Sequence, residues 1–355
     1  MNVYVFNKDL QMIGVVDAFT SLIWTTRYFE KGDFELYLPA SEEHTALLQK
    51  DCYLVREKDI HGNRLENVMI IRNILLVTDV EEGDYLAVSG YDLKELLQRR
   101  IIWEQTTLNG YVEAAIRRVI TENAISPKQP ERVIPRLKLL GFDGYLDRME
   151  KQVTGENLYD FLVTTCKTYG FGWEIYVDGE DFIFIMTRGT DRTYNQTDYP
   201  PVIFSDEYDN LLSTSYQYNK DAYKNVALVA GEGEGTNRKT RVVGTASGLD
   251  RYELFVDARS TSSNDGEIEE SEYQGLLDEA GSEALADCRE IENFEGKIES
   301  GTNFVFGKDY FLGDVVEVVN RYGIHGTPRI TGVIESVDSN GITTIPIYST
   351  IEEEV

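Results

Sequence analysis

Cysteine is scarce in this chain. Cys52, Cys166 and Cys288 are the three in 355 residues, odd in number, far apart and without Cys-x-x-Cys spacing, which excludes a disulfide framework and a cysteine-based zinc site. Cys166 and Cys288 read instead as small core hydrophobes. Histidine is as sparse: His44, His61 and His325 have no second His or Cys at ligand spacing, so no metal site and no metal cofactor are expected. No stretch reaches the ~20 apolar residues of a membrane span, and Met1-Asn-Val-Tyr-Val-Phe-Asn7 carries no basic leader, so the chain is expected to be made as a soluble cytoplasmic product. Positive charge is in deficit too. Lys and Arg number 34 against 62 Asp and Glu, a net charge of -28 that argues against sequence-independent nucleic-acid binding, because such binding depends on Lys and Arg displacing counterions from phosphates. The same acidity also reads as a solubility device.

What is present is enough apolar residue to build substantial cores, 42% of the chain, at a length that suits two or three domains. Alternating patterns predict a mainly β region over residues 1–90, with hairpins at Val3 to Val16 and Leu22 to Leu38 and further strands at Tyr53 to Glu57, Val68 to Val77 and Tyr85 to Ser89. In the second hairpin Phe34, Leu36 and Leu38 face a core while Glu35 and Tyr37 face outward. Residues 91–190 change to a mixed α+β pattern. Asp92 to Glu95 has the spacing of an acidic capping box, Val112, Ala115, Ile116, Val119 and Ile120 share a helical face, and Leu158 to Tyr169 share another. A hairpin of Phe171 to Val177 and Phe182 to Met186 closes this region. Residues 191–355 return to β, with strands predicted at Val202 to Ser205, Leu212 to Tyr218, Val226 to Ala230, Arg241 to Thr245, Tyr252 to Val256, Val315 to Asn320, Arg329 to Val337 and Thr343 to Tyr348. One helix near 271–290 interrupts them, opened by a capping box at Ser271 to Gln274, and the small polar run Ser260 to Gly266 before it is expected to be a mobile loop.

The motif that comes nearest to chemistry is Gly231-Glu-Gly-Glu-Gly235. A phosphate cradle leads its glycines into a helix whose free N–H groups face the anion. Here Gly231, Gly233 and Gly235 alternate with Glu232 and Glu234, which would repel phosphate, and Arg238 to Gly244 reads as a strand, so a strand connection with positive-φ glycines is expected. No other catalytic pattern emerges. Ser89-Gly-Tyr-Asp92 and Ser247-Gly-Leu-Asp250 lack the Gly-x-Ser-x-Gly elbow. A carboxylate pair such as Asp206 and Asp209 has glycosidase meaning only when a fold holds it across a sugar cleft. The 22 tyrosines leave two readings for residues such as Tyr216 and Tyr218, ordinary half-buried strand positions or an assembly interface.

Taken together, Gly32 to Pro39, Lys138-Leu-Leu-Gly-Phe142, Tyr159 to Trp173, the Gly-Glu loop, Arg251 to Arg259 and Tyr310-Phe-Leu-Gly-Asp-Val-Val316 resemble the Gp37-like tail proteins of long-tailed bacteriophages across nearly the whole chain. That family is similar to the hub part of tail-associated lysins and to the baseplate hub of contractile tails. The resemblance implies a predominantly β α+β fold, with two tube-forming, barrel-like β domains flanking a mixed domain. It also implies a homotrimer with a pseudo-sixfold ring at the tail tip. Its implied partners are the distal tail protein ring, the C-terminus of the tape measure protein and tip or receptor-binding proteins; its channel passes DNA without stable binding, through a lumen lined with carboxylates. Many relatives carry C-terminal extensions, whereas this chain stops at Glu352-Glu-Glu-Glu-Val355, so a hub without its own lytic or receptor-binding activity is expected. The alternative is a tail-associated cell-wall hydrolase or carbohydrate-binding adhesin.

Overall fold

A computed structural model describes residues 1–81, 83–210, 213–297 and 303–349. The chain opens with β1 (Val3–Phe6), β2 (Met12–Val16), β3 (Ser21–Arg27) and β4 (Asp33–Pro39), followed by a short helix α1 (Glu42–Leu47), which the sequence pattern did not reveal. Then come β5 (Tyr53–Arg56), β6 (Met69–Val77) and β7 (Tyr85–Asp92). The outward assignment of Glu35 and Tyr37 holds, since Phe34, Leu36 and Leu38 are buried between them.

After β7 the expected capping box does not form. The Asp92 carboxylate accepts the N–H of Lys94 at 3.0 Å and that of Gly32 at 2.7 Å, closing a turn, and α2 (Glu95–Gln98) is a single turn without a side-chain cap. A strand pair the sequence did not betray, β8 (Thr106–Tyr111) and β9 (Arg148–Val153), brackets α3 (Val112–Ile120), which runs into a π-turn at Thr121–Ile125. Helix α4 (Leu158–Tyr169) starts on an Asn157 cap, whose side chain accepts from the Tyr159 N–H, and stops at Gly170 with φ +70°. It is followed by the predicted hairpin, β10 (Gly172–Asp178) and β11 (Asp181–Thr187).

The last part holds β12 (Ser213–Asn219), β13 (Val226–Ala230), β14 (Thr240–Val243) and β15 (Glu253–Asp257), then helix α5 (Glu270–Ala286). The expected start of the Leu212 strand lies outside the described residues, as does Glu352 to Val355. The Ser271 capping box is overturned: α5 begins at Glu270, so Ser271 already sits in its first turn. Nor is Ser260 to Gly266 an untethered loop. Gln152 bonds Ser262 on both sides, at 3.0 and 3.3 Å, and Ser263 donates to Glu232 at 3.0 Å. Past α5 the chain adds β16 (Ile291–Lys297), β17 (Arg329–Asp338) and β18 (Gly341–Ser349), while the expected strands at Ile203–Ser205 and Glu317–Val319 pair in parallel in a small separate sheet with His325–Gly326.

Eleven of these strands form one antiparallel sheet in the order β12-β16-β18-β17-β3-β4-β7-β6-β5-β1-β2. The first and last parts of the chain therefore share a sheet, joined where β3 registers with β17, Leu22 against Val337 and Thr26 against Val333. One face buries a core of Leu22, Trp24, Leu36, Leu54 and Val88, continued under the C-terminal strands by Phe204, Tyr310, Val333 and Tyr348. On the opposite face, β1, β5 and the start of β6 are covered: Phe6, Tyr53, Val55 and Ile70 join Leu93, Ile116, Phe161 and Trp173 in one core with the mixed region. Polar contacts fix that docking. Lys94 is buried and donates to the carbonyls of Arg27 (2.6 Å) and Glu30 (3.0 Å), and the Trp173 indole N–H donates to Phe29 at 2.8 Å. Buried donors with carbonyl partners avoid the cost of an unmet hydrogen bond.

Candidate functional surface

The glycine loop joins β13 to β14, which pair antiparallel with Leu228 opposite Val242; β13 pairs on its other side, in parallel, with β15. Gly233 and Gly235 take positive φ, +99° and +57°. Gly231 serves a different purpose. A Cβ there would lie 2.3 Å from the Tyr273 hydroxyl, and that hydroxyl accepts the Glu232 N–H at 2.9 Å and donates to the Thr261 carbonyl at 3.2 Å. The Glu232 carboxylate is spent locally, on the Ser263 N–H and on Lys239 at 3.2 Å, and the Ser263 hydrogen bonds, with Lys239 adding to them, hold its pKa below the usual range. Glu234 is exposed, and Gly235 opens only a single 3₁₀ turn to Asn237. The loop thus ties its own strand pair to the first turn of α5, through Tyr273 and through Lys239, which Glu232 shares with Glu270.

Tyr216 and Tyr218 lie on β12, the edge strand, opposite Phe294 and Glu292 of β16. They differ in surroundings: Tyr216 is half-buried against the C-terminal core, whereas Tyr218 is half-exposed and bonds Glu290 through its hydroxyl. Asp206 and Asp209 form no facing pair, since Asp206 accepts the Arg321 N–H at 3.0 Å and Asp209 occupies a left-handed cap position at φ +51°. Cys52 and Cys166 are buried, as a small hydrophobe would be, while Cys288 is only partly so. Burial pushes the Cys166 thiol up to about 12, well away from reactive range. Among the described residues no group of His, Cys, Asp and Glu is arranged to hold a metal ion.

The largest uncommitted feature is the remaining face of the long sheet. Beyond the part covered by the mixed region, cross-strand register lines up Thr343, Ser336, Ile23, Glu35, Ser89 and Asn73 on it, with Tyr37, Ala87 and Leu75 beside them and Ser215 and Gln217 further along, across β16. These side chains are exposed or half-exposed. None is a cation, and Glu35 is the one carboxylate among them. This face lies on the outside of a strongly curled sheet: the side chains of Arg56 on β5 and Glu335 on β17 meet at 2.5 Å on the inner face although four strands separate them. Flat strands ~4.8 Å apart could not bring them together.

The chain matches the siphovirus ReqiPepy6 Gp37-like protein family over residues 2–348. It belongs to that family. The fold of this Gp37-like chain is that of solved phage tail proteins. It superposes on a tail protein from Neisseria meningitidis MC58 with a TM-score of 0.59 at 13% identity, over 98% of this chain and 95% of the other. With the 43 kDa tail protein of prophage MuSo2 from Shewanella oneidensis the values are 0.61, 12%, 99% and 98%. With the prophage tail protein gp18 of Listeria monocytogenes EGD-e they are 0.55, 10%, 100% and 96%. No curated protein sequence matches the chain. The Gp37-like strands were legible one by one, but the shared sheet was not. Its signal was present in the alternation of Ile23, Glu35, Ser89 and Ser336 with core residues, and only the β3–β17 register assembles these into one face.

Proposed function

We propose that this chain is the baseplate hub subunit of a bacteriophage tail tip. Three copies form a ring in which the β regions of residues 1–90 and 191–355 supply two wall segments each, giving pseudo-sixfold symmetry, with residues 91–190 on the outside. Such a ring joins the sixfold distal tail ring to a threefold tip, meets the C-terminal end of the tape measure protein and carries the tip or receptor-binding proteins. The uncovered outer face of the long sheet lines an axial channel through which DNA leaves the virion.

The observation that carries this reading is the continuous sheet through β3 and β17, whose uncovered face carries hydroxyl, amide and apolar groups and no cation at Ile23, Tyr37, Asn73, Leu75, Ala87, Ser89, Ser336 and Thr343. A channel for DNA has to avoid the Lys and Arg contacts that make binding to phosphates strong. A stretch poor in cations does this with few carboxylates, so the acidic surplus need not sit on the channel wall. The subunit acts by assembly and not by catalysis. Purified chain is expected to release no soluble sugar or peptide from host cell walls; release abolished by a single carboxylate substitution would support a tail-associated hydrolase instead.

Native mass measurement of the chain alone and with the distal tail protein tests the architecture. The expected result is three copies facing six. One or six copies of this chain around the axis would overturn it.

A further inference from the structure

Positive charge is rare on this protein, yet it gathers at one place in the mixed region. Arg99, Arg100 and Arg132 line an open groove of about 430 Å³, together with Gln98, Ile101, Trp103, Gln129 and a single carboxylate, Glu131. A second hollow of about 310 Å³ lies against the same Trp103, Gln129 and Arg132. Arg99 is shared with Glu95 at 3.5 Å. Arg100 and Arg132 have no carboxylate partner among the described residues; Arg100 donates to the carbonyls of Arg99, Arg132 and Val133, and Arg132 to the Ile101 carbonyl and, at 3.5 Å, to the Asn123 side-chain oxygen. Partial burial, then the neighbouring Arg132 and Arg99, push the Arg100 guanidinium below the usual arginine range, the mark of cations crowded without a counterion.

Trp103 stands between the two hollows. It is 54% exposed, where Trp24 and Trp173 are 1% and 0%. The Arg132 guanidinium lies 4.8 Å over its ring and packs the indole, while the Trp103 backbone N–H donates to Asn123 at 3.0 Å and anchors the chain at this point. An exposed indole gives up much apolar area to water, and its defined pose suits a flat ligand face.

We propose that the Trp103–Arg132 groove is a binding site for a sugar bearing an anionic group, its ring stacked on the indole and its charge met by Arg100 and Arg132. The volume is of small-ligand size and fits one or two pyranose rings. Gln98 and Gln129 offer both donors and acceptors to hydroxyl groups. A bidentate guanidinium recognises carboxylate and phosphate alike, so either can supply the charge. A long polyanion is disfavoured, because the net charge of -28 repels it wherever it leaves the groove.

The emission of Trp103 reports binding directly, the other two tryptophans being shielded. The full chain would be titrated with a tetragalacturonate, with glucose 6-phosphate, with cellotetraose, with a hexaglutamate peptide and with a twelve-nucleotide single strand of DNA. A saturable change with the uronate or the sugar phosphate, and at least about tenfold weaker binding of the neutral sugar, is the expected result. Which of the two anions binds tighter identifies the source of the charge. Arg132→Ala should weaken that binding about tenfold, and Trp103→Ala should abolish it by calorimetry, with melting temperatures unchanged. The more conservative Arg132→Lys keeps the charge but loses the fork, and should retain only part of the affinity if either variant proves unstable. Equal binding of the neutral sugar, tighter binding of the peptide or the DNA, or no saturation by any probe overturns the proposal.

Discussion

Arg56 and Glu335 stand 279 positions apart in sequence and share a buried ion pair of 2.5 Å. Arg56 is 1% exposed, donates also to Asp59 at 2.5 Å, and lies 4.8 Å over the ring of Trp24. Burial alone would raise the Glu335 carboxyl, but Arg56 and Lys58 outweigh it and hold it below the usual range. The pair pins the first β region to the last on the inside of the curled sheet.

Removing one partner should be more harmful than removing both. Arg56→Ala strands two carboxylates in a low-dielectric interior and is expected to cost about 3–5 kcal/mol. Arg56→Met combined with Glu335→Leu should regain part of that loss, Asp59 keeping only its hydrogen bond from Asn67 at 2.8 Å. Chemical denaturation of the three chains checks it, and a double variant no more stable than the single one would sink the idea.

A second carboxylate behaves in the opposite sense. Glu279 on α5 accepts from Tyr169 at 2.7 Å, and its pKa is raised to about 7, chiefly by burial and further by Glu283 and Glu150, against the pull of Tyr169 and Lys151. The folded state thus holds a proton that the unfolded state releases near 4.5. Its contribution is complete below about pH 4.5 and is lost as pH rises through about 7. Glu279→Gln should flatten this part of the profile and raise the melting temperature at pH 8. Superimposable profiles of the two proteins between pH 5 and 8 would exclude it.

The two kinds of glycine in the Gly-Glu loop should separate cleanly. Gly231→Ala forces a methyl onto the Tyr273 hydroxyl and is expected to cost about 1–3 kcal/mol. Gly235→Ala meets open space and suffers only the positive φ, about 1 kcal/mol. ATP and GTP should leave the melting temperature of the parent chain unchanged, whereas true binding would raise it with ligand concentration.

Placing lysines at Asn73 and Ser336, both on the uncovered face, should make the assembled ring retain duplex DNA in low salt and release it as salt rises. Retention by the parent ring, or none by the variant, would place that face elsewhere than the channel.

Local periodicity made most of the strands and the three longer helices readable, because β3, β4, α3 and α4 each bury one regular set of residues. Caps were misread where a carboxylate found a tertiary partner, as Asp92 did in Gly32. β8 and β9 escaped notice because Thr106 to Tyr111 and Arg148 to Val153 are mostly polar, and Leu108, Met149 and Val153 bury only part of each strand. The Trp103 groove could not be read at all, since Arg99 and Arg132 are distant in sequence and only the turn after α3 brings them together.

The junction of β3 with β17 also sets a schedule for synthesis. Leu22 has no strand to pair with on that side until Val337 has left the ribosome, an interval on the order of tens of seconds at ordinary elongation rates. During it, Ser21-Leu-Ile-Trp-Thr-Thr-Arg27 offers a proline-free edge with three consecutive apolar residues, Leu22 to Trp24, to any neighbouring nascent chain. Chains cut short before β17 should therefore accumulate as aggregates, and yield should depend on holdase chaperones that occupy this edge until the final hairpin arrives.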